Sequence, residues 1–188
     1  MLAIQGDVEK HLTAIERCGA RGRRVRGPAD LEGLCALVLP GGESTTISKG
    51  LERHGLVLPI RAFAEAGGAL LGTCAGAILL AREARNHPVP TLDLVDVAAL
   101  RNAYGTQVDS FAAPADAASG PAWAGMECVF IRAPRLVDPG PGVEILVRVD
   151  GEPVLARQGR RLVCTFHPEL TDDLRVHAAL LALAGAAA

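Results

Sequence analysis

Residues 69–84 read Ala-Leu-Leu-Gly-Thr-Cys-Ala-Gly-Ala-Ile-Leu-Leu-Ala-Arg-Glu-Ala, an apolar strand that breaks at a glycine and restarts as a helix. Cys74 sits at the break. Gly72-x-Cys74-x-Gly76 has the spacing of a nucleophile elbow, a turn so tight that its flanking positions must lack side chains. Such a turn lifts the sulfur off the sheet edge. It also sets the thiol at a helix N-terminus, where unpaired N–H groups favour thiolate. The alternative is a buried structural cysteine, because free cysteines are among the most buried residues.

Residues 162–170, Leu-Val-Cys-Thr-Phe-His-Pro-Glu-Leu, read as a second buried strand, this one ending in His167-Pro168-Glu169. Histidine is the usual base for a cysteine nucleophile, and a carboxylate commonly fixes the imidazole tautomer. Pro168 biases His167 toward extended geometry, in which positions two apart share a side, so His167 and Glu169 can cooperate. Otherwise His167 ends a strand and Glu169 opens the last helix.

A third piece follows the short apolar strand Ala36–Leu39: Pro40-Gly41-Gly42-Glu43-Ser44-Thr45-Thr46. Two consecutive glycines let backbone N–H groups approach an anion or an oxyanion closely. A phosphate-binding loop of the Walker type needs Gly-Lys-Ser/Thr, which is absent. A plain tight turn also fits the two glycines.

The segments around these pieces alternate. Met1–Ile4 is expected as a short strand stopped by Gln5-Gly6. Asp7 then caps a helix with apolar Val8, Leu12 and Ile15, Arg23–Arg26 forms a second strand, and residues 60–66 form another helix. The expected fold is therefore α/β: three layers, with a mixed, mostly parallel central sheet and helices on both faces. In such sheets ligands gather at the carboxyl ends of strands, where the double-glycine loop, Cys74 and His167 all fall. From residue 92 onward short strands dominate (94–100, 126–131, 143–149, 154–156 and 162–166), which implies an antiparallel extension. Residues 112–125, rich in Ala, Pro, Gly and Ser, read as a surface excursion. Arg101 and Arg132 each end a strand. Either guanidinium can hold a substrate carboxylate in a forked pair or serve as a structural ion-pair partner.

Length and charge narrow the function classes. The 188 residues suit one domain, 1–188. A net charge of −2 gives no global field toward nucleic acid or an anionic membrane. The cluster Arg21, Arg23, Arg24 and Arg26 lacks interleaved aromatics and reads as a solvated edge. Five cysteines without CxxC spacing argue against a disulfide framework or a zinc site, and a reducing cytoplasm is the expected setting. No secretory signal pattern opens the sequence. The apolar tail 178–188 is shorter than the roughly 20 residues a membrane span needs, and reads as the end of a packed helix.

Together these pieces resemble one family. Gln5-Gly6-Asp7 with His11, Pro40 to Thr45, Gly72 to Gly76, Arg101-Asn102-Ala103-Tyr104-Gly105, Asp109-Ser110-Phe111, Phe130-Ile131-Arg132-Ala133-Pro134 and Phe166 to Thr171 are similar to the glutaminase subunits of pyridoxal 5′-phosphate synthase. These are class I (triad) glutamine amidotransferases, with a flavodoxin-like fold. The likeness runs from the first residues to Thr171. It departs at Thr106, where the family commonly has a basic residue.

The resemblance implies hydrolysis of L-glutamine to glutamate and ammonia, the ammonia passing to a separate synthase subunit in a hetero-oligomeric complex. It implies Cys74 as nucleophile, His167 as base and Glu169 as its orienter. Gly42, Glu43, Ser44, Arg101, Ile131 and Arg132 would line the glutamine site, the N–H groups of Gly42 and Ala75 would form the oxyanion hole, and Gln5 would couple the loop to the partner. No metal or organic cofactor, nucleic acid or membrane enters this reading. Two other readings remain at this level. A cysteine-elbow protein of the peptidase or stress-response type shares the fold class but not the His-Pro-Glu ending, and a non-catalytic module would leave three filled triad positions unexplained.

Overall fold

The computed structural model describes residues 1–101 and 110–185. Helix α1 (Val8–Arg17) begins behind Asp7, whose carboxylate accepts the Lys10 N–H at 3.4 Å, and its inward stripe is His11, Leu12, Ala14 and Ile15. The two short strands expected before and after it reduce to one isolated parallel bridge between Leu2 and Val25. Met1–Ile4 is too short for more than a few ladder bonds before Gly6 (φ +114°) turns the chain away.

Strand β1 (Ala36–Leu39) is followed by α2 (Ser44–Arg53), α3 (Val57–Glu65), β2 (Ala69–Thr73) and α4 (Ala75–Leu80). The chain then runs through β3 (Ala81–Arg85), β4 (Val95–Leu100), β5 (Ser110–Pro114), β6 (Glu127–Ile131), β7 (Arg135–Val137), β8 (Glu144–Val149), β9 (Glu152–Gln158) and β10 (Arg161–Cys164), ending in α5 (Arg175–Leu183). The main sheet has the order β1-β2-β10-β9-β8. Its first three strands are parallel, and β9 and β8 extend it antiparallel, as the run of short strands implies. Strands β3-β4-β7 and β5-β6 form two smaller sheets.

Alternation along the parallel strands makes the layers. Leu37, Leu39, Leu70 and Val163 pack into one core with Ile47, Leu51 and Ile60 of α2 and α3. Val38, Leu71, Leu162 and Cys164 pack into the other with Leu12 and Ile15 of α1 and Val176 and Leu180 of α5. Each buried leucine or isoleucine contributes about 1.5–3 kcal/mol. Helices therefore cover both faces, and the carboxyl ends of β1, β2 and β10 lie side by side.

Several boundaries differ from the sequence expectation. The helix after the elbow stops at Leu80, and Ala81–Arg85 pairs parallel with β4, a tertiary pairing that overrides the helical propensity of Ala-Arg-Glu-Ala. Helix α3 starts three residues early, at Val57. The start of the supposed surface excursion is strand, with Ala112–Pro114 paired to Glu127–Val129. Glu169 lies in a 3-10 turn, Pro168–Leu170, and the last helix begins only at Arg175. Among the described residues no helix is long and apolar enough to cross a membrane, and no His, Cys, Asp or Glu group is placed to hold a metal.

Candidate active site

Cys74 joins β2 to α4 at φ 47°, ψ −103°, a conformation that non-glycine residues rarely adopt and that costs of order 1–3 kcal/mol. The glycines around it show why the turn has this composition. A Cβ on Gly72 would lie 2.5 Å from the Gly76 carbonyl oxygen, and one on Gly76 would strike the Leu39 carbonyl oxygen. The elbow is thus pressed against the end of β1, and its own N–H bonds across to β10 (Cys74 N to Cys164 O, 2.8 Å). Cys74 is 7% exposed, with its sulfur 3.8 Å from the Ile131 carbonyl oxygen.

His167 follows β10 by three residues, and its N–H donates to Val129 O (2.8 Å), which sets the side chain over the sheet end. Its Nδ1 lies 2.7 Å from Glu169 Oε1. Gly41 is wedged between the two reactive side chains: a Cβ there would sit 2.5 Å from His167 Cε1 and 3.4 Å from Cys74 Cβ. Burial works against a charged imidazole, but the Cys74 sulfur and the Glu169 carboxylate outweigh it and push His167 up to about 10. Near neutrality His167 therefore holds a proton between sulfur and carboxylate. Burial likewise opposes the Glu169 charge, yet the His167 hydrogen bond holds its carboxyl below the ordinary range. Helix α4 is only six residues long, so the main charged partner of the sulfur is this imidazolium rather than the helix dipole.

A cleft of about 280 Å³ opens over the sulfur. Gln5, Gly42, Glu43, Ser44, Ala75 and Ile131 line it together with Arg101, Arg132, Cys74 and His167, so every candidate site residue except Glu169 reaches it. Glu169 stands behind His167, outside the cleft lining. Ile78 and Pro134 also line the cleft without having been singled out, although Pro134 belongs to the quoted Phe-Ile-Arg-Ala-Pro stretch. Arg132 turns at φ 45° as it leaves β6.

Glu43 is heavily engaged. Its carboxylate caps α2 by accepting from Thr45 N (3.0 Å), Thr46 N (2.7 Å) and Thr46 Oγ1 (2.8 Å), and its own N–H donates to Gln5 Oε1 (3.0 Å). Partial burial raises its pKa, but the Thr46 and Thr45 hydrogen bonds prevail and hold it at about 2. Arg101 Nη2 lies 3.5 Å from Glu43 Oε1, and its Nη1 donates to His87 O at 2.7 Å. The structural ion pair and a place in the cleft thus coexist for Arg101. The rest of the Arg-Asn-x-Tyr-Gly stretch, Thr106 and Asp109 lie outside the described residues.

Behind the proposed triad is a group to which the sequence reading gave no role, although His11 and Thr73 both belong to the quoted stretches. Gly41 N donates to Thr73 Oγ1 (2.9 Å), Thr73 Oγ1 lies 3.3 Å from His11 Nε2, and His11 Nδ1 is 2.9 Å from His177 Nε2. The available signal was the position of His11 on the inward stripe of an amphipathic helix. Nothing local pointed to His177.

A three-layer α/β chain with a cysteine elbow, an adjacent histidine and a buried carboxylate at the ends of neighbouring parallel strands has the fold of the class I glutamine amidotransferases. The sequence profile of the SNO glutamine amidotransferase family matches residues 1–183, and the chain belongs to that family. It is 49% identical over 190 residues to a protein of Deinococcus radiodurans named pyridoxal 5′-phosphate synthase subunit PdxT, covering 98% of this chain and 96% of the relative. A Thermus thermophilus protein of the same name is 49% identical over 188 residues, with 98% and 96% coverage. A crystal structure of a glutamine amidotransferase matches with a TM-score of 0.91 at 46% identity, over 98% of this chain and 97% of that one. PurLQS from Thermotoga maritima shares the fold alone, with a TM-score of 0.68 at 17% identity over 96% of this chain and 95% of that one.

Proposed function

We propose that the chain is the glutaminase subunit of a pyridoxal 5′-phosphate synthase, acting as one domain and releasing ammonia for a synthase subunit. The observation that carries this reading is the juxtaposition of Cys74 and His167 in a cleft that Gly42 of the double-glycine loop also lines, with Glu169 hydrogen-bonded to His167 from behind. The names of near full-length relatives at 49% identity support the synthase assignment.

In this mechanism the Cys74 thiolate attacks the side-chain amide carbon of glutamine, forming the C–S bond. The carbonyl π-electrons move to oxygen, where the N–H groups of Gly42 and Ala75 receive the charge. His167 gives its proton to the amide nitrogen, the C–N bond breaks, and ammonia leaves. Neutral His167 then takes a proton from water, whose hydroxide attacks the thioester and releases glutamate and the thiolate. Glu169 keeps Nδ1–H of His167 directed away from the substrate throughout. Glu43, Ser44, Ile131, Arg101 and Arg132 bound the space for the amino-acid end of glutamine, with a guanidinium as partner for its carboxylate. Gln5, at the rim, receives the partner.

A glutamine-shaped diazoketone tests this reading. Cys74 should be labelled first, because burial pushes Cys128 up to about 12, Cys164 well up and Cys18 up from the ordinary thiol range, leaving them as protonated thiols. Peptide mapping that places the adduct on any cysteine other than Cys74 would remove the proposal.

A further inference from the structure

Two histidines that the mechanism leaves idle, His11 and His177, are both 0% exposed, a costly placement for polar rings unless they do something. His11 sits between the two halves of the site. Its Nε2 lies 3.2 Å from Glu169 Oε2 and 3.3 Å from Thr73 Oγ1, the oxygen that accepts Gly41 N–H. Oε1 of Glu169 is taken by His167, while Oε2 meets no well-aligned hydrogen bond and is buried.

The tautomers follow from this geometry. Burial, against the pull of Glu169, holds His11 below the ordinary imidazole range, and burial followed by the neighbouring His11 holds His177 at about 4. Both rings are therefore neutral at pH 7, with one N–H each. Were that proton on Nδ1 of His11, its Nε2 lone pair would face a carboxylate oxygen at 3.2 Å, and the proton of His177 would sit on Nδ1, which is buried without a partner. The opposite arrangement pairs both N–H groups and leaves only the lone pair of His177 Nδ1 without a partner. His177 Nε2–H donates to His11 Nδ1, and His11 Nε2–H is shared between Thr73 Oγ1 and Glu169 Oε2.

We infer that His11 is a positioning residue for the triad, its Nε2–H fixing the second oxygen of Glu169 and, through Thr73, the Gly41 end of the double-glycine loop. This rests on the glutaminase reading. One N–H thereby holds the orienting carboxylate and the oxyanion loop in register, and His177 fixes the tautomer that makes it possible.

Two substitutions separate this role from packing. The amide of asparagine falls near the place of Nδ1 and that of glutamine near the place of Nε2. His11→Asn should lose the contact to Glu169, and His11→Gln should keep it. With the cognate synthase subunit in excess, steady-state glutamate release should show kcat falling roughly 10- to 100-fold in His11→Asn, the size of one hydrogen bond to a charged group, with KM unchanged. His11→Gln should stay within about threefold of the parent. Equal losses in both variants, or none in either, would overturn the assignment. An inactive parent would overturn the glutaminase reading and this one with it. A measurement on the unsubstituted protein guards against variants that do not fold: long-range ¹H–¹⁵N spectra at pH 7 should show the His11 proton on Nε2. Finding it on Nδ1 would defeat the inference.

Discussion

At the scale of single residues, the site is a set of conflicts resolved by neighbours. Cys74 accepts a strained backbone, Gly72 and Gly76 give up side chains so that it can, and His167 keeps its proton although it is largely buried. Glu169 resolves the last conflict, since an imidazolium against a buried neutral group would lose its proton. Glu169→Gln keeps the shape and removes the charge, and by comparison with other triads turnover should fall by up to roughly 10⁴-fold. Glutamate release within about threefold of the parent would instead make Glu169 a structural residue of its 3-10 turn. The three proposed triad positions were legible as candidates in the sequence because each carries a local signature, the glycine spacing around Cys74 and the His-Pro-Glu ending. The second layer was not. Thr73, His11 and His177 come from β2, α1 and α5, and only the folded sheet brings them to one point.

At the scale of elements, α1 and α5 pack side by side on one face of the sheet with the two histidines in contact between them. That pairing makes the face sensitive to acid. A group whose pKa is depressed on folding stabilises the fold above its unfolded value and loses that contribution as pH falls. For His177 the window runs from about 6.5 in the unfolded chain down to about 4 in the fold. Burial of His11 acts in the same direction. The upper limit for His177 is about 3 kcal/mol. Melting temperature measured from pH 7.5 to pH 4 should therefore fall more steeply in the parent than in His177→Gln, and parallel curves would show that the ring does not titrate across folding. The same elements mark where sequence reading succeeds. Buried strands β1, β2 and β10 declare themselves as apolar runs ending in Pro, Cys or His. Strand β3 does not, because Ala-Arg-Glu-Ala-Arg is helical by propensity and extended only through its partner β4. The expected α/β layers followed from the strong elements and survived the misread weak ones.

At the scale of the whole molecule, the cleft opens at an exposed rim. Its rim, Gln5, Gly6, Gly42 and Glu43, is exposed, and the pieces are mechanically joined. Gln5 Oε1 accepts the Glu43 N–H at 3.0 Å, and the Gly41 carbonyl oxygen lies so close to Gly6 that a Cβ there would collide with it. Pressure on the Gln5–Gly6 turn should therefore reach the Gly41–Gly42 peptide, whose glycines rotate at little steric cost. Such a link suits an enzyme whose product must not reach water, because ammonia free in neutral solution is mostly protonated and no longer nucleophilic. Docking of the synthase subunit at this rim should complete the oxyanion hole, and one missing donor there costs about 10²–10³ in turnover. Glutamate release at saturating glutamine should accordingly rise by that order when excess synthase is added. Gln5→Ala should blunt the rise while leaving the melting temperature within a degree or two of the parent. Equal parental rates with and without the synthase would mean that the hole is complete in the free chain, and that Gln5 only braces the loop.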